Sequence, residues 1–323
     1  MTVTVAEIAA GVEAATPRVA RLLAPTPLQH SPILSEMAGV PVHLKCEHVQ
    51  PTGSFKVRGA ANALTLLRAE GHTRVITAST GNHGMAAAHV GALLGMWVEV
   101  HVPVGTEPVK RRGLEALGAA IVTVLGDSSD AERHARAAAA NAGVPYLSPY
   151  NDPAVVCGQG TVALEILEQL PEVAAVYASV GGGGLLSGIG ATLGARMPGA
   201  AVVGCWPSAA PTLLRCIEAG GFVDVVEEAT VSDGTAGGIE RGAITLDLAT
   251  RVIDHAVEVS ESGIIEAMRL LFESDRWIVE AAAAVALAGA MSDAARPDGP
   301  IVVVLCGRNL GPEVARRAFG DAA

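Results

Sequence analysis

Aromatic residues are scarce in this chain of 323 residues: they make up 3% of it, although half of all residues are hydrophobic. The sequence therefore predicts a core of alanine, valine, leucine and isoleucine with few large rings. Positive charge is also in deficit, and the net charge of −11 at pH 7 argues against a nucleic-acid partner. No apolar run reaches the ~18–20 residues of a membrane-spanning helix, so no association with a membrane is predicted.

Cysteines are few and scattered. The five of them form no C-x-x-C pair, and their odd number does not suggest a disulfide framework. Reduced thiols are typical of proteins from the cytoplasm, so a cytoplasmic location is predicted. The N-terminal segment carries Glu7 and Glu13 where a signal peptide would have basic residues, and secretion is therefore not expected.

Short β-branched runs alternate with alanine-rich stretches along the whole chain. The predicted strands are residues 40–45, 75–78, 98–102, 121–125, 176–180, 201–204 and 301–305. Repeated strand-then-helix units are typical of an α/β protein with mostly parallel sheets, and the length favours two domains. Residues 105–113 and 127–130 are predicted to be loops, and residues 143–153 a crossover.

The run Gly-Ser-Phe-Lys-Val-Arg-Gly-Ala (residues 53–60) places one lysine, Lys56, at the predicted start of a helix. An ordinary lysine has a pKa near ~10.4 and is protonated at neutral pH, so it acts neither as a base nor as a nucleophile. An apolar wall from Phe55 and the positive field of a helix N-terminus would both lower this pKa. Ser54 is the predicted N-cap. Lys56 is thus the candidate catalytic amine; the alternative is a solvated lysine on a helix surface.

Four glycines in a row follow the predicted strand at residues 176–180. They are Gly181, Gly182, Gly183 and Gly184. A turn without Cβ atoms can direct several backbone N–H groups at one anion, and the helix predicted from about Leu185 to Arg196 adds the positive end of its dipole. The sequence therefore predicts a phosphate site; the alternative is a flexible tight turn.

A third strand-turn-helix unit covers residues 75–94, with its helix predicted over residues 82–94. Ser79, Thr80, Asn82 and His83 place hydroxyl, amide and imidazole groups around the start of that helix. Such donors suit a carboxylate or a phenolate oxygen. For His83 alone, capping or packing is the alternative role.

One further motif is misleading. Residues 158–163 match the G-x-G-x-x-A dinucleotide fingerprint, but Pro149 and Pro153 precede them where a strand is needed. The four glycines also lie where the fingerprint requires an acidic residue. Nicotinamide binding is therefore not predicted.

An amine, a phosphate site and a carboxylate site on strand-to-helix turns describe a pyridoxal 5'-phosphate enzyme that acts on an amino acid. The motifs resemble those of the fold type II (tryptophan synthase β-like) family, and most closely its threonine/serine dehydratases and serine racemases. The resemblance extends from residues 26–28 to residues 306–309. It implies that Lys56 binds the cofactor as a Schiff base, and it implies Lys56 and Thr80 as catalytic residues. The implied cofactor-binding residues are Phe55, Lys56, Asn82, Asn151, Gly181, Gly182, Gly183, Gly184, Leu185 and Cys306, and the implied substrate-binding residues are Ser79, Thr80, Asn82 and His83.

The resemblance also implies an architecture. It comprises two three-layer α/β domains with mostly parallel sheets and the cofactor in the cleft between them. A small domain of residues 67–145 would be inserted in a large one of residues 1–66 plus 146–323. A homodimer that acts on a small amino acid is implied.

The implied activity is elimination of water from a β-hydroxy amino acid, such as L-threonine or L-serine, to give a 2-oxo acid and ammonia. Cys306 stands where the family has a serine opposite the ring nitrogen, and a neutral thiol, like a hydroxyl, would favour prompt elimination over transamination. Thr80 keeps a racemase open, because serine racemases carry a hydroxyl residue at this position. β-Replacement on the same scaffold and an amino-acid sensor without turnover also stay open.

Departures from the family pattern bear on metals and effectors. Trp206, Thr212 and Gly242 occupy positions at which metal-dependent relatives carry ligands, so no metal site is expected. Pro51 replaces a lysine that helps racemases bind nucleotide, so activation by ATP is not expected. Arg308 replaces a glycine of the family pattern, and a role for its cation facing the substrate stays open.

Three segments bear on the substrate. They are similar to those of the hydroxyectoine-utilisation dehydratase subgroup and comprise residues 204–207, 232–238 and 274–277. This similarity implies a β-hydroxy diamino acid derived from that osmolyte. The alternative is a threonine dehydratase in which these segments are packing variants.

Overall fold

The computed structural model describes residues 3–320, and in this part of the chain nine strands form two sheets. The strands are β1 (Leu28–His30), β2 (Val42–Lys45), β3 (Arg74–Ala78), β4 (Trp97–Pro103), β5 (Ala120–Val124), β6 (Ala175–Ser179), β7 (Ala201–Pro207), β8 (His255–Val259) and β9 (Ile301–Val304). β6 and β9 are buried at every position, as is typical of strands with helices on both faces.

Helices follow most of the strands. They are α1 (Val5–Ala20), α2 (Pro32–Ala38), α3 (Lys56–Ala69), α4 (Asn82–Leu94), α5 (Pro108–Ala116), α6 (Ser128–Ala142), α7 (Pro153–Gln169), α8 (Gly184–Arg196), α9 (Thr212–Glu218), α10 (Ile244–Val252), α11 (Glu261–Asp275), α12 (Ala281–Ser292) and α13 (Pro312–Phe319), with a short 3-10 helix at Glu47–Val49. Among residues 3–320, no helix is both long enough and apolar enough to cross a membrane.

The two sheets differ in size. The larger has the order β1-β2-β9-β6-β7-β8, and the smaller has the order β3-β4-β5. All pairs are parallel except β1 with β2, which is antiparallel. The predicted α/β fold with mostly parallel sheets is therefore confirmed. Ligand sites of such sheets lie beyond the carboxyl ends of the strands. Two of the predicted motifs, residues 79–83 and 181–184, follow the carboxyl ends of β3 and β6.

Small aliphatic side chains make the core, as the composition predicts. α12 is buried at every position from residue 281 to 290, which is typical of a helix that is apolar all round, and it packs against α11 and the strands of the larger sheet. Trp206 is the largest fully buried side chain, at 1% exposure. Its ring fills the space beside Gly204, where a Cβ atom would come within 2.4 Å of it.

The apparent dinucleotide motif lies inside helix α7 rather than in a turn. Its glycines allow close helix contacts, because a Cβ on Gly158 would approach Arg58 O to 2.5 Å and one on Gly160 would approach Gly188 O to 2.8 Å. These glycines serve the packing of α7 against α3 and α8.

Two predicted loops were wrong over most of their length. Residues 105–113 contain the start of α5, where Pro108 supplies the fixed φ that suits the first position of a helix. Residues 127–130 form the start of α6, where the Asp127 side chain accepts hydrogen bonds from Ser129 N and Asp130 N in a capping box. Strands β1 and β8 were not predicted. The predicted crossover at residues 143–153 is confirmed as the connection between α6 and α7.

Candidate active site

A cavity of about 580 Å³ lies beyond the carboxyl ends of β3 and β6. Three predicted segments line it together, although they are far apart in the sequence. Phe55 and Lys56, the turn from Ser79 to His83, and the four glycines with Leu185 all face this space. The structure thus brings the candidate amine, the candidate phosphate site and the candidate carboxylate site into one cavity.

Lys56 is the first residue of α3, and its amine donates a hydrogen bond to Pro149 O at 3.0 Å. Burial lowers the pKa of Lys56 to about 8, against the opposing effects of Cys306 and Glu280. At pH 7 about a tenth of such amines are free bases, compared with far fewer for an exposed lysine. The Phe55 ring lies beside the amine, with its centroid 5.2 Å from Lys56 Nζ. The apolar wall predicted for this lysine is therefore present.

Ser54 is not the N-cap of α3, contrary to the prediction. The N-cap residue is Phe55, which has helical φ and ψ and makes no side-chain capping bond. Ser54 instead pairs with Gly307 in an isolated antiparallel bridge, and its hydroxyl is buried without a hydrogen-bond partner within residues 3–320. This bridge fixes the start of α3 against the segment that follows β9.

The four-glycine turn opens α8 with backbone groups alone. Gly183 has φ +84, a left-handed conformation that favours glycine, and α8 begins at the next residue. The first turn of a helix leaves N–H groups without partners inside the helix, and the residues of this turn line the cavity. A Cβ on Gly182 would come within 2.4 Å of the Tyr150 ring. The turn is therefore closely packed, which argues against a flexible connection, and the phosphate site stays a prediction.

We predict that Gly182→Ala weakens the binding of pyridoxal 5'-phosphate by roughly ten- to a hundredfold, because overpacking of this kind costs about 1–3 kcal/mol. The dissociation constant is measured by equilibrium dialysis of the cofactor. Gly194→Ala is the matched control, since Gly194 lies on α8, the helix that follows the turn, and a Cβ there meets nothing within 4 Å. Equal affinity of the Gly182→Ala variant and the control would contradict a phosphate site at this turn.

The second turn connects β3 to α4. Ser79, Thr80 and Asn82 line the cavity, and Gly81 serves as the N-cap of α4 without a side-chain bond. Ser79 Oγ accepts a hydrogen bond from Gly81 N at 3.2 Å, which shapes the turn. Hydroxyl and amide groups therefore surround this helix N-terminus, as predicted.

His83 does not fit the predicted role of an anion donor. Its Nε2 lies 3.1 Å from Leu147 O, and because a carbonyl only accepts, the ring proton is on Nε2. Burial, with a contribution from Lys56, lowers the pKa of His83 to about 3, so the ring stays neutral and Nδ1 has no proton to donate. His83 is 3% exposed and has the packing role that the sequence left as the alternative.

Cys306 lines the cavity just after β9, and its Sγ lies 3.5 Å from Ser179 Oγ at the end of β6. Burial raises the pKa of Cys306 to about 12, so the group is a neutral thiol at physiological pH. The sequence predicts a neutral thiol at this position, and the contact with the Ser179 hydroxyl is an addition from the structure.

Two predicted residues lie elsewhere. Asn151 is not among the residues that line the cavity; its Oδ1 accepts a hydrogen bond from Ile244 N at 2.9 Å and thereby fixes the start of α10. Arg308 is exposed, and its backbone N–H donates to Gly53 O at 2.8 Å. Its side chain does not line the cavity, so the cation that the sequence left open does not face it.

The structure adds residues that the sequence analysis missed. Tyr150 packs against the glycine turn, and its hydroxyl accepts a hydrogen bond from Glu240 N at 2.9 Å. Glu280, the N-cap residue of α12, is 7% exposed and faces the cavity. The sequence did carry a signal for Glu280: it is an acidic residue directly before a run of apolar residues, and such a residue either caps a helix or belongs to a site. No signal marked Tyr150.

These residues fit pyridoxal 5'-phosphate. The aldehyde of that molecule fits the lysine with a lowered pKa, and its phosphate fits the glycine turn that has no room for a Cβ. Its ring fits the aromatic side chain and the neutral buried thiol. Within residues 3–320, no cluster of three or more histidine, cysteine, aspartate or glutamate side chains could hold a metal ion. Fold and site together define the class of a vitamin B6 enzyme.

Comparison with known proteins gives the family. The family described as pyridoxal-phosphate dependent enzyme matches residues 19–307, and the chain belongs to it; pyridoxal 5'-phosphate is thus its cofactor. The chain is 35% identical over 302 residues to the L-threonine ammonia-lyase of Geobacter sulfurreducens, a match that covers 93% of this chain and 75% of the relative. The predicted likeness to threonine dehydratases is therefore confirmed.

Solved structures agree. The processed form of threonine deaminase isoform 2 from Solanum lycopersicum has a TM-score of 0.92 and 30% identity, with 99% of this chain and 93% of that chain covered. A pyridoxal 5'-phosphate-dependent aspartate racemase has a TM-score of 0.87 and 30% identity, with 94% of this chain and 96% of that chain covered. The fold is therefore shared by deaminases and racemases, and the reaction must be inferred from the site.

Proposed function

We propose that this chain is a pyridoxal-phosphate-dependent ammonia-lyase that eliminates water from a β-hydroxy amino acid and releases a 2-oxo acid and ammonia. The observation that carries the proposal is the Lys56 amine, with its pKa lowered to about 8, in one cavity with the glycine turn and a neutral Cys306 thiol. The threonine ammonia-lyase and threonine deaminase relatives support the same reaction.

Each part of the cavity has its own role in this reaction. The cofactor, when bound, disperses the negative charge that develops at the substrate Cα. The N-terminus of α8 with its glycine turn would hold the phosphate, and Phe55 would cover one face of the ring. Ser79, Thr80 and the N-terminus of α4 would orient the substrate carboxylate.

Lys56 is the proposed base. Its amine would take the α-proton of the substrate at Nζ, because a pKa of about 8 combines a usable fraction of free base with adequate basicity near neutral pH. Cys306 would stay protonated throughout and contribute no charge beside the ring. The net reaction removes water across Cα and Cβ and adds water again when ammonia is released.

The proposal includes the domain division, the location and the assembly that the sequence implies. The three strands β3–β5 lie within residues 67–145, and the other six strands lie outside it, which supports a small domain inserted in residues 1–66 plus 146–323. The acidic chain without paired cysteines supports a cytoplasmic enzyme. A homodimer rests on the resemblance alone.

For the substrate, only one of the three segments that resemble the hydroxyectoine-utilisation dehydratases reaches the cavity. Residues 233–238 line it, whereas Trp206 is part of the core and Trp277 packs against His48 with a hydrogen bond to Gln29. L-Threonine, L-serine and the hydroxyectoine-derived β-hydroxy diamino acid therefore stay as the proposed substrates.

A 2-oxo acid assay with these three substrates tests the function. We expect 2-oxo acid and ammonia in equal amounts from at least one of them. The substrate with the highest kcat/KM decides between a threonine dehydratase and a hydroxyectoine-utilisation enzyme. Absence of 2-oxo acid from all three, with cofactor bound, would reject the lyase.

A racemase is the second candidate, because the Thr80 hydroxyl lines the cavity and an aspartate racemase shares the fold. It predicts that D-isomer formed from L-serine or L-threonine exceeds 2-oxo acid in the same reaction, which chiral chromatography measures. A β-replacement enzyme would instead form an adduct with an added thiol.

A further inference from the structure

A buried carboxylate faces the cavity from the start of α12, and no step described above uses it. Glu280 is 7% exposed and directly precedes that helix. Its backbone N–H donates to Gly307 O at 3.1 Å, and its Oε2 accepts from Asn309 N at 3.1 Å. Glu280 is therefore fixed against the segment that follows β9, the same segment that carries Cys306.

The carboxylate also determines how the Asn82 amide is oriented. Asn82 Nδ2 lies 2.8 Å from Glu280 Oε1 and 3.1 Å from Oε2, and Asn82 Oδ1 accepts from Asn309 Nδ2 at 2.5 Å. A carboxylate only accepts, so the Asn82 nitrogen must face Glu280; it carries two hydrogens, one of which donates to Glu280 while the second is left for a bound group. Glu280 thus makes Asn82 a donor.

The charges around Glu280 connect it to the catalytic amine. Burial, aided by the nearby Asp233 carboxylate, raises the pKa of Glu280 to about 7 against the opposing effect of the Asn82 and Asn309 hydrogen bonds and of Lys56. In return, Glu280 raises the pKa of Lys56, and it raises the pKa of Cys306 as well. Of the groups that shift the pKa of Glu280, Lys56 is the cation.

We propose that Glu280 is a positioning residue of the active site, which orients the Asn82 amide as a hydrogen-bond donor toward the bound cofactor and sets the charge opposite the Lys56 amine. This inference rests on the proposed function and adds a residue to it. The carboxylate has two separable roles: its charge acts on Lys56, and its hydrogen bonds act through Asn82.

The charge role is tested on cofactor-free protein by the rate at which it takes up pyridoxal 5'-phosphate between pH 5.5 and 9.5, followed by visible absorbance. Uptake requires the unprotonated Lys56 amine, so the rate reports its titration. Glu280→Gln keeps the hydrogen-bond acceptor but removes the charge, and the midpoint is expected to fall by about one pH unit. Glu240→Gln is the matched control: Glu240 pairs with Arg136 outside the cavity lining, and the midpoint should stay at the wild-type value.

The orienting role is tested by the affinity for the cofactor at pH 8. Glu280→Ala leaves two donors unpaired and is expected to raise the dissociation constant of pyridoxal 5'-phosphate about tenfold. In an Asn82→Ala background the same substitution should have little further effect, because the two residues act as a unit. Thermal unfolding of each variant without cofactor separates these effects from a loss of folding.

Two outcomes would overturn the inference. One is a Glu280→Gln midpoint equal to that of wild type; the other is additive effects of Glu280→Ala and Asn82→Ala on the dissociation constant. Both are distinct from failure of the proposed function, in which the wild-type protein itself takes up no cofactor or forms no 2-oxo acid.

Discussion

Lys56→Ala is expected to lower 2-oxo acid production by at least a hundredfold and to abolish the visible absorbance of the bound cofactor at the same time. The loss corresponds to ~3 kcal/mol or more of transition-state stabilisation, because alanine removes both the amine that holds the aldehyde and the base that takes the α-proton. Single-turnover assays and absorption spectra of the same preparations measure the two effects.

The chain offers a sharp control for this prediction, because it has three lysines. Lys45 is buried in an ion pair with Glu165, and Lys110 lies at the cavity wall, 3.6 Å from Asp233. Lys110→Ala should keep the absorbance, because Lys110 is partly exposed and paired with Asp233, whereas burial has lowered the pKa of Lys56. Borohydride reduction followed by peptide mapping should label Lys56 alone.

Turnover above a hundredth of the wild-type rate in Lys56→Ala would argue against the base role. A pyridoxyl label on Lys45 or Lys110 would argue against the covalent role. The two results are independent, since a lysine can hold the cofactor without being the base that removes the proton.

The parts of the site that could be predicted from sequence are local. Lys56 with Phe55, the turn at Ser79 and the glycines at residues 181–184 each lie within one short segment at the start of a helix, and each faces the cavity. Parallel sheets bring the carboxyl ends of their strands to common edges, so correct local units are placed near one another by the topology.

The parts that could not be predicted depend on contacts between distant residues. The Asn82–Glu280 hydrogen bond joins residues 198 positions apart, and no periodicity or motif encodes such a pair. The sequence does not determine the direction of a side chain either. The family resemblance implies that Asn151 binds the cofactor, yet its amide oxygen accepts a hydrogen bond from Ile244 N, 93 positions away. Arg308 is a similar case. Its backbone N–H bonds to Gly53 O while its side chain is exposed, and its place in a motif does not reveal this orientation.

A buried ion network beneath the active lysine leads to the second large prediction. Arg58, two residues after Lys56, is 1% exposed and binds two carboxylates. Its Nε and Nη2 lie 2.7 and 2.8 Å from Glu47 oxygens, and its Nη1 and Nη2 lie 2.6 and 2.8 Å from Glu165 oxygens. The network continues to Lys45, which donates to Glu165 at 2.6 Å. Helix α3 is thereby fixed to α7 and to the segment after β2.

Arg58→Met is expected to lower the free energy of unfolding by about 3–5 kcal/mol at pH 7, because it leaves Glu47 buried without its paired cation. In the wild-type protein Arg58 lowers the pKa of Glu47 although burial acts to raise it. Without Arg58, burial dominates and the folded-state pKa of Glu47 lies above its unfolded value. The penalty is therefore present above the unfolded pKa and shrinks as the pH falls toward ~4.

Urea unfolding of cofactor-free protein at pH 7 and pH 5, followed by far-ultraviolet circular dichroism, measures this difference. Arg241→Met is the control: Arg241 and Asp224 form an ion pair in which both side chains are largely exposed, and no measurable change is expected. A loss below about 1 kcal/mol for Arg58→Met at pH 7 would mean that water or a neighbouring group compensates Glu47. A loss that grows as the pH falls would contradict the sign argued from Glu47, because protonation should relieve the unpaired charge.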